Sequence, residues 1–159
     1  METSINNNET LDSLTALLQD VRGIDAIVLG GSCCVGMQNP ASDIDICVYY
    51  NDRFNVSELN NKLALIDDEF QSDIILPPGS WGKWLDSGGV CVIGGIQYDF
   101  SLRKTCFVSH VIHDCIHGHI AFMFSSAYPY GYGNYYLFSE AHYCKILFQL
   151  MMSCEFKKN

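Results

Sequence analysis

The stretch "DAIVLGGSCCVGMQNPASDIDICVYY", residues 25–50, constrains the fold more than any other part of the chain. It opens with a short apolar run that stops at Gly30, Gly31 and Ser32, the pattern of a buried strand closed by a turn. A second apolar run then begins with Asp43 and Asp45, one residue apart. On a strand, side chains at i and i+2 point to one face, ~6.6 Å apart along it. Ile44 and Ile46 therefore enter a core while the two aspartates share the opposite face. Carboxylates so placed repel each other unless something positive lies between them. Mg²⁺ is the natural partner, because it takes oxygen ligands and keeps waters and substrate phosphates as the others.

The glycines have a matching reading. Gly30 and Gly31 let the backbone approach a phosphate closely. Ser32 caps a short helix whose first N–H groups face phosphate oxygens. The stretch can thus hold a triphosphate and the cations that neutralise it. If two metal ions are used, a third carboxylate is expected, and Asp99 in "IQYDFSL" is the candidate. It stands in an apolar strand, where an ionised carboxylate is costly unless paired or metal-bound. Each piece has an ordinary reading as well: a solvated strand end, a plain turn, an edge residue. Their order along the chain is what singles out a site.

The remaining composition bounds the class. The chain has 159 residues, 48% hydrophobic and 17% charged, which suits one compact domain over 1–159. Eighteen acids against 9 bases give a net charge of −9, which argues against extended nucleic acid as a partner. A small anionic ligand is compatible with it, since metal ions and backbone N–H groups can meet its charge. "METSINNNETLDSL" has neither a basic flank nor an apolar core, so no signal peptide is expected. The most apolar segment, "YYLFSEAHYCKILFQLMM", carries Glu140, His142 and Lys145 and is not expected to span a membrane. A cytoplasmic location follows, and the eight cysteines are expected to be reduced thiols.

Helices are expected over "ETLDSLTALLQDV", with Thr10 or Asp12 as cap, over "SELNNKLALIDDEF", and over "TCFVSHVIHDCIHG", ended by Gly118. A last helix is expected from Tyr136 to Cys154. "VCVIGGIQYDFSL" reads as a β-hairpin turning at Gly94-Gly95, with Gly88-Gly89 a break before it. This order predicts an α/β (α+β) domain, a mixed β-sheet with helices packed on it.

"LGGSCCVGMQNPASDIDICVYY" resembles the signature of the polymerase-beta-type nucleotidyltransferase superfamily: a hydrophobic residue, Gly, Gly or Ser, and Ser ahead of an Asp-x-Asp strand. "GSWGKWLDSGGVCVIGGIQYDFSLR", "DCIHG" and "YPYGYG" resemble, in order, segments of the bacterial branch related to aminoglycoside and minimal nucleotidyltransferases. The likeness covers roughly residues 25 to 150. It implies the nucleotidyltransferase fold, with Gly31 and Ser32 on the nucleotide's phosphates and Asp43 and Asp45 on two Mg²⁺ ions (or Mn²⁺). Asp99 would hold the catalytic metal and help deprotonate the acceptor. The implied reaction is attack of a hydroxyl, on a small molecule or a protein, on the α-phosphate of an NTP. It transfers an NMP, expected to be AMP, and releases pyrophosphate. Lys83, Arg103 and Lys104 are the candidate cations for the triphosphate or pyrophosphate.

The alternative is a non-catalytic nucleotide-binding or partner-dependent module of the same fold. Longer members add a C-terminal helical domain that shapes the acceptor pocket. Here that role is expected to fall to a second copy or a helical partner, docked on the wide apolar face of the last helix. His110, His113 and His117 share a helix face near His119, Cys106 and Cys115, which reads either as a zinc site or as a polar face. Trp81 and Trp84 either stack on a base or cover the core. The aromatic loop Tyr128–Tyr136 either lines the acceptor pocket or closes the core.

Overall fold

A computed structural model of the chain describes residues 7–31, 43–126 and 128–150. Helix α1 (Asn7–Leu18) buries Leu11, Leu14 and Leu18, spaced by three and four as an amphipathic stripe requires. Thr10 and Asp12 lie inside it rather than at its cap. Strand β1 (Ile24–Leu29) is buried throughout, and β2 (Ile44–Tyr50) nearly so. Helix α2 (Val56–Leu63) starts at Asn55, whose side chain accepts the Glu58 N–H at 3.1 Å. It stops well short of the predicted end. Beyond Ala64 the chain turns so that the buried Asp67 can accept the N–H groups of Gln71 and Val92, at 3.0 and 2.9 Å.

Strands β3 (Ser87–Ile93) and β4 (Ile96–Lys104) form the predicted hairpin. Gly94 and Gly95 both have positive φ, 59° and 77°, as a two-residue primed turn demands. Gly88 and Gly89 prove to be part of β3 rather than a break. A Cβ on Gly88 would strike the Phe100 carbonyl and the Trp81 ring, and one on Gly89 the Ile74 carbonyl. These glycines mark close approach of other chain segments, not a turn.

Helix α3 (Thr105–Ile116) follows directly and ends before Gly118, as expected. A two-stranded ribbon, β5 (Phe122–Met123) with β6 (Tyr132–Gly133), leads to α4 (Tyr135–Tyr143). The long final helix is not formed. Residues Lys145–Gln149 are strand β7, antiparallel to β1. The sequence pattern favours a helix, but the open edge of the buried β1 gives this segment ladder partners a helix could not have. Leu147 and Phe148 pack on one of the chain's own hydrophobic clusters and Ile146 on another, so the helical face expected to carry association is absent up to Leu150. Met151, Met152 and Ser153 lie outside the described residues.

The main sheet has the order β3-β4-β2-β1-β7. Among these described strands β2 and β4 run parallel and the other neighbours antiparallel, so the sheet is mixed, as the sequence predicts. Side chains alternate between its faces. Ile27, Leu29, Ile46, Val48, Phe100 and Leu102 meet α1 and α2 in the larger core. Ala26, Val28, Cys47 and Tyr49 face the other way, toward Val108 of α3 and Cys144. The second face carries the aspartates.

Candidate active site

Gly30 extends the β1–β2 ladder by one bond, its N–H donating to the Asp45 carbonyl at 2.8 Å. Gly31 then turns with φ +60°, and a Cβ there would run into the Asp45 carboxylate. Only glycine satisfies both conditions. Ser32 lies outside the described residues.

On β2, Asp45 stands in register with Asp99 of the parallel strand β4. Residues paired in this way project to one side of the sheet. Gln97, two residues before Asp99, donates its Nε2–H to Asp99 Oδ1 at 2.7 Å. Asp43 immediately precedes β2 and is exposed. The Asp45 carboxyl is pushed above the usual aspartate range, first by its partial burial, then by repulsion from Asp99, Asp43 and Glu140. The structure thus brings the three sequence-predicted aspartates into one electrostatic neighbourhood.

A pocket of about 380 Å³ opens beside them. Gly30 and Gly31 form its rim, Asp45, Cys47 and Ser101 its sheet side, and Tyr132, Tyr136, Ser139 and Glu140 the opposing wall. Asp43 and Asp99 do not line it. Tyr132 and Tyr136 lie with ring centroids 4.9 Å apart, so the aromatic loop contributes to a wall as well as to packing: Tyr132 also meets Trp84 edge-on at 6.4 Å. Trp81 covers Gly88 from above.

Glu140 is the site residue that sequence reasoning missed. Its signal in the sequence is a carboxylate standing within an apolar run. It pairs with Arg103 in a two-pronged bridge, Nε to Oε1 and Nη2 to Oε2, both at 3.0 Å. Its Oε1 also accepts from Cys47 Sγ at 3.3 Å and Tyr49 OH at 3.4 Å. Burial and the Glu140 carboxylate push the Cys47 thiol up, which keeps it protonated and a donor. Arg103 also donates through Nη1 to the carbonyls of Leu85 and Leu102, at 2.9 and 3.0 Å. The sequence reading offered this guanidinium to a phosphate; the structure places it, buried, under helix α4. Lys83 lies 5.2 Å above the Phe107 ring, and Lys104 pairs with Asp52 at 2.7 Å. Neither lysine lines the pocket.

The carboxylate-rich face offers hard oxygen donors, the chemistry that suits Mg²⁺ or Mn²⁺. The in-register pair, with one member partly desolvated, fits a divalent ion that would remove its repulsion. Among the described residues, no three ligating groups are already gathered around a single point. The same residues contain no helix long and apolar enough to cross a membrane.

Comparison with known families agrees with this geometry. No curated protein matches the chain. The family model described as the nucleotidyltransferase domain matches residues 12–78, a segment that includes Gly30, Gly31, Asp43 and Asp45 and stops short of Asp99. That segment, less than half of the chain, is similar to the nucleotidyltransferase domain.

Proposed function

We propose that the protein transfers a nucleoside monophosphate, AMP in the first instance, from an NTP to an acceptor hydroxyl with release of pyrophosphate. The observation that carries this reading is Asp45 opposite Asp99, with Asp43 on the approach to the same strand and Gly31 closed against Asp45. Asp43, Asp45 and Asp99 would hold the divalent ions, two in the full scheme. Bound there, such ions supply neutralisation of the triphosphate and acidify the acceptor hydroxyl. The side-chain-free turn at Gly30-Gly31 is the proposed phosphate cradle beside Asp45. Asp99 is the proposed proton acceptor for the hydroxyl, through Oδ2, since Oδ1 is already bonded to Gln97. Ser32 would take the phosphates with Gly31. The pocket between Ser101 and Tyr136 is the proposed seat of the acceptor, a small molecule or a protein side chain.

One observation favours a second reading, a nucleotide-binding module that depends on a partner. Arg103 is engaged with Glu140 and Lys83 lies over Phe107, so neither faces the pocket. A single experiment separates the two. The chain is incubated with Mg²⁺ and labelled ATP, GTP, CTP or UTP, alone and with cell extract. Label transfer with pyrophosphate release, lost in Asp99→Asn, is the expected result. Nucleotide binding without transfer in either mixture would establish the module instead.

A further inference from the structure

The reaction proposed above makes no use of the histidines on α3. His110, His113 and Asp114 fall at i, i+3 and i+4 on one stripe of α3, and His117, at i+7, is the residue that caps its C-terminal end. Asp114 sits at its centre. Its Oδ2 lies 3.5 Å from His110 Nε2, and its Oδ1 3.9 Å from both His113 Nδ1 and His119 Nδ1. His119 reaches back because the chain turns at Gly118, φ 79°, and the His119 N–H donates to the Asp114 carbonyl at 2.9 Å. The His113 and His117 rings lie with centroids 4.2 Å apart. His117 Nδ1 is 2.8 Å from the His113 carbonyl, a bond that places the proton on Nδ1 and leaves the Nε2 lone pair for another partner. The stripe ends at a helix C-terminus, where unpaired carbonyls add negative potential.

We propose that this stripe binds one divalent transition-metal ion of the Zn²⁺ and Ni²⁺ class, chelated by His113 and His117, with Asp114 supplying the adjacent negative charge. Imidazole nitrogen suits ions of this class better than it suits Mg²⁺. His113 in the last turn and His117 at the C-cap, four residues on, are spaced to share one ion. The hydrogen bond from His117 Nδ1 to a carbonyl is the arrangement that orients a ligating imidazole. Among the described residues the groups do not yet surround one point. The side chains of His110 and His113 are 70% and 66% exposed, however, so ring rotation meets little packing. Water fills the remaining positions of such an open site.

The test uses the full chain under reducing conditions, titrated with Zn²⁺, Ni²⁺ or Co²⁺ alone by calorimetry and absorption. One saturable ion is expected, with a rise in melting temperature. His113→Ala and His117→Ala should each weaken binding by about tenfold or more. His117→Gln, a second variant at this exposed position, should do the same with an unchanged circular dichroism spectrum. His110→Ala should have a smaller effect, and Asp45→Asn none. Affinity that survives the double His113→Ala/His117→Ala substitution would overturn the proposal. So would a thiolate-to-cobalt charge-transfer band, which would put the ion on cysteines, or loss of binding in Asp45→Asn, which would put it on the aspartates. Absence of saturable binding overturns it as well. The titrations contain no nucleotide, so failure of this proposal is distinguishable from failure of nucleotidyl transfer, which is read separately.

Discussion

Asp45 and Asp99 face each other across the parallel pair β2–β4 of the main sheet, with Gly31 packed against the Asp45 carboxylate. Like charges directly opposite on neighbouring strands destabilise a sheet. Asp45 is also partly buried, which adds a desolvation cost to its ionised form. The fold therefore holds a charge arrangement that works against its own stability, a sign that the residues are placed for a ligand rather than for the sheet.

Asp45→Asn should accordingly stabilise the metal-free protein by roughly 0.2–1 kcal/mol. The pH dependence fixes the sign. Asp45 titrates above the ordinary aspartate range in the folded state, so the folded form holds its proton longer than the unfolded form. Its contribution to stability falls as pH rises from the unfolded aspartate range through the raised folded value, and is constant above it. The advantage of the Asp45→Asn variant over the parent chain should grow over that window and then stay level. Urea unfolding of both proteins between pH 3 and neutrality measures it. Mg²⁺ with NTP should raise the melting temperature of the parent chain and leave Asp45→Asn unmoved. An equal shift in both would remove Asp45 from the cation site.

Gly31→Ala tests the contact from the other side. Positive φ alone makes a non-glycine residue costly there, and the added methyl meets the Asp45 carboxylate. A loss of about 1–3 kcal/mol is expected, together with loss of the Mg²⁺–NTP thermal shift. Full retention of that shift would mean that Asp45 need not lie where Gly31 allows it.

Asp67 gives the opposite pH behaviour. Its burial works to raise the carboxyl, but the N–H donors of Gln71 and Val92 outweigh this and lower it below the ordinary range. A lowered carboxyl contributes stability above the unfolded aspartate range and loses it as pH falls through the folded value. Asp67→Ala should cost about 1–3 kcal/mol near neutral pH, since two backbone donors lose their acceptor. It should also flatten the acid limb of the stability curve. An acid limb identical to that of the parent chain would assign the effect to other carboxylates.

Much of this was legible in the sequence because it is written in local rules. The period-2 alternation around Asp43 and Asp45 defined a strand with a polar face, and Gly94-Gly95 defined a turn. The pairing of Asp45 with Asp99 was expected only as some neighbouring strand; its register is a long-range property of the sheet. β7 was not legible, because "KILFQ" has no strong strand pattern and takes its conformation from the edge of β1. Glu140 and Arg103 were illegible as a pair for the same reason: they lie 37 residues apart and meet only when α4 folds back onto the sheet.

That pair supports the last prediction. Arg103 is buried and Glu140 partly so, with side-chain exposures of 7% and 25%. Removing one partner of a buried pair leaves the other charge without compensation, at about 3–5 kcal/mol for full burial. The residual exposure of Glu140 lowers the figure here to about 2–3 kcal/mol for Arg103→Met or Glu140→Met alone. The double variant should lose clearly less than the sum of the two, because neither uncompensated charge remains. Urea unfolding of the four proteins measures the coupling directly. A second readout separates structure from substrate contact. Glu140 anchors the helix that carries Tyr136 and Ser139 into the pocket. The double variant should therefore bind Mg²⁺–NTP as the parent chain does while its transfer to acceptor falls. Additive losses would show that the bridge contributes little beyond its separate contacts. Loss of NTP binding in the double variant would return Arg103 to the triphosphate, where the sequence first placed it.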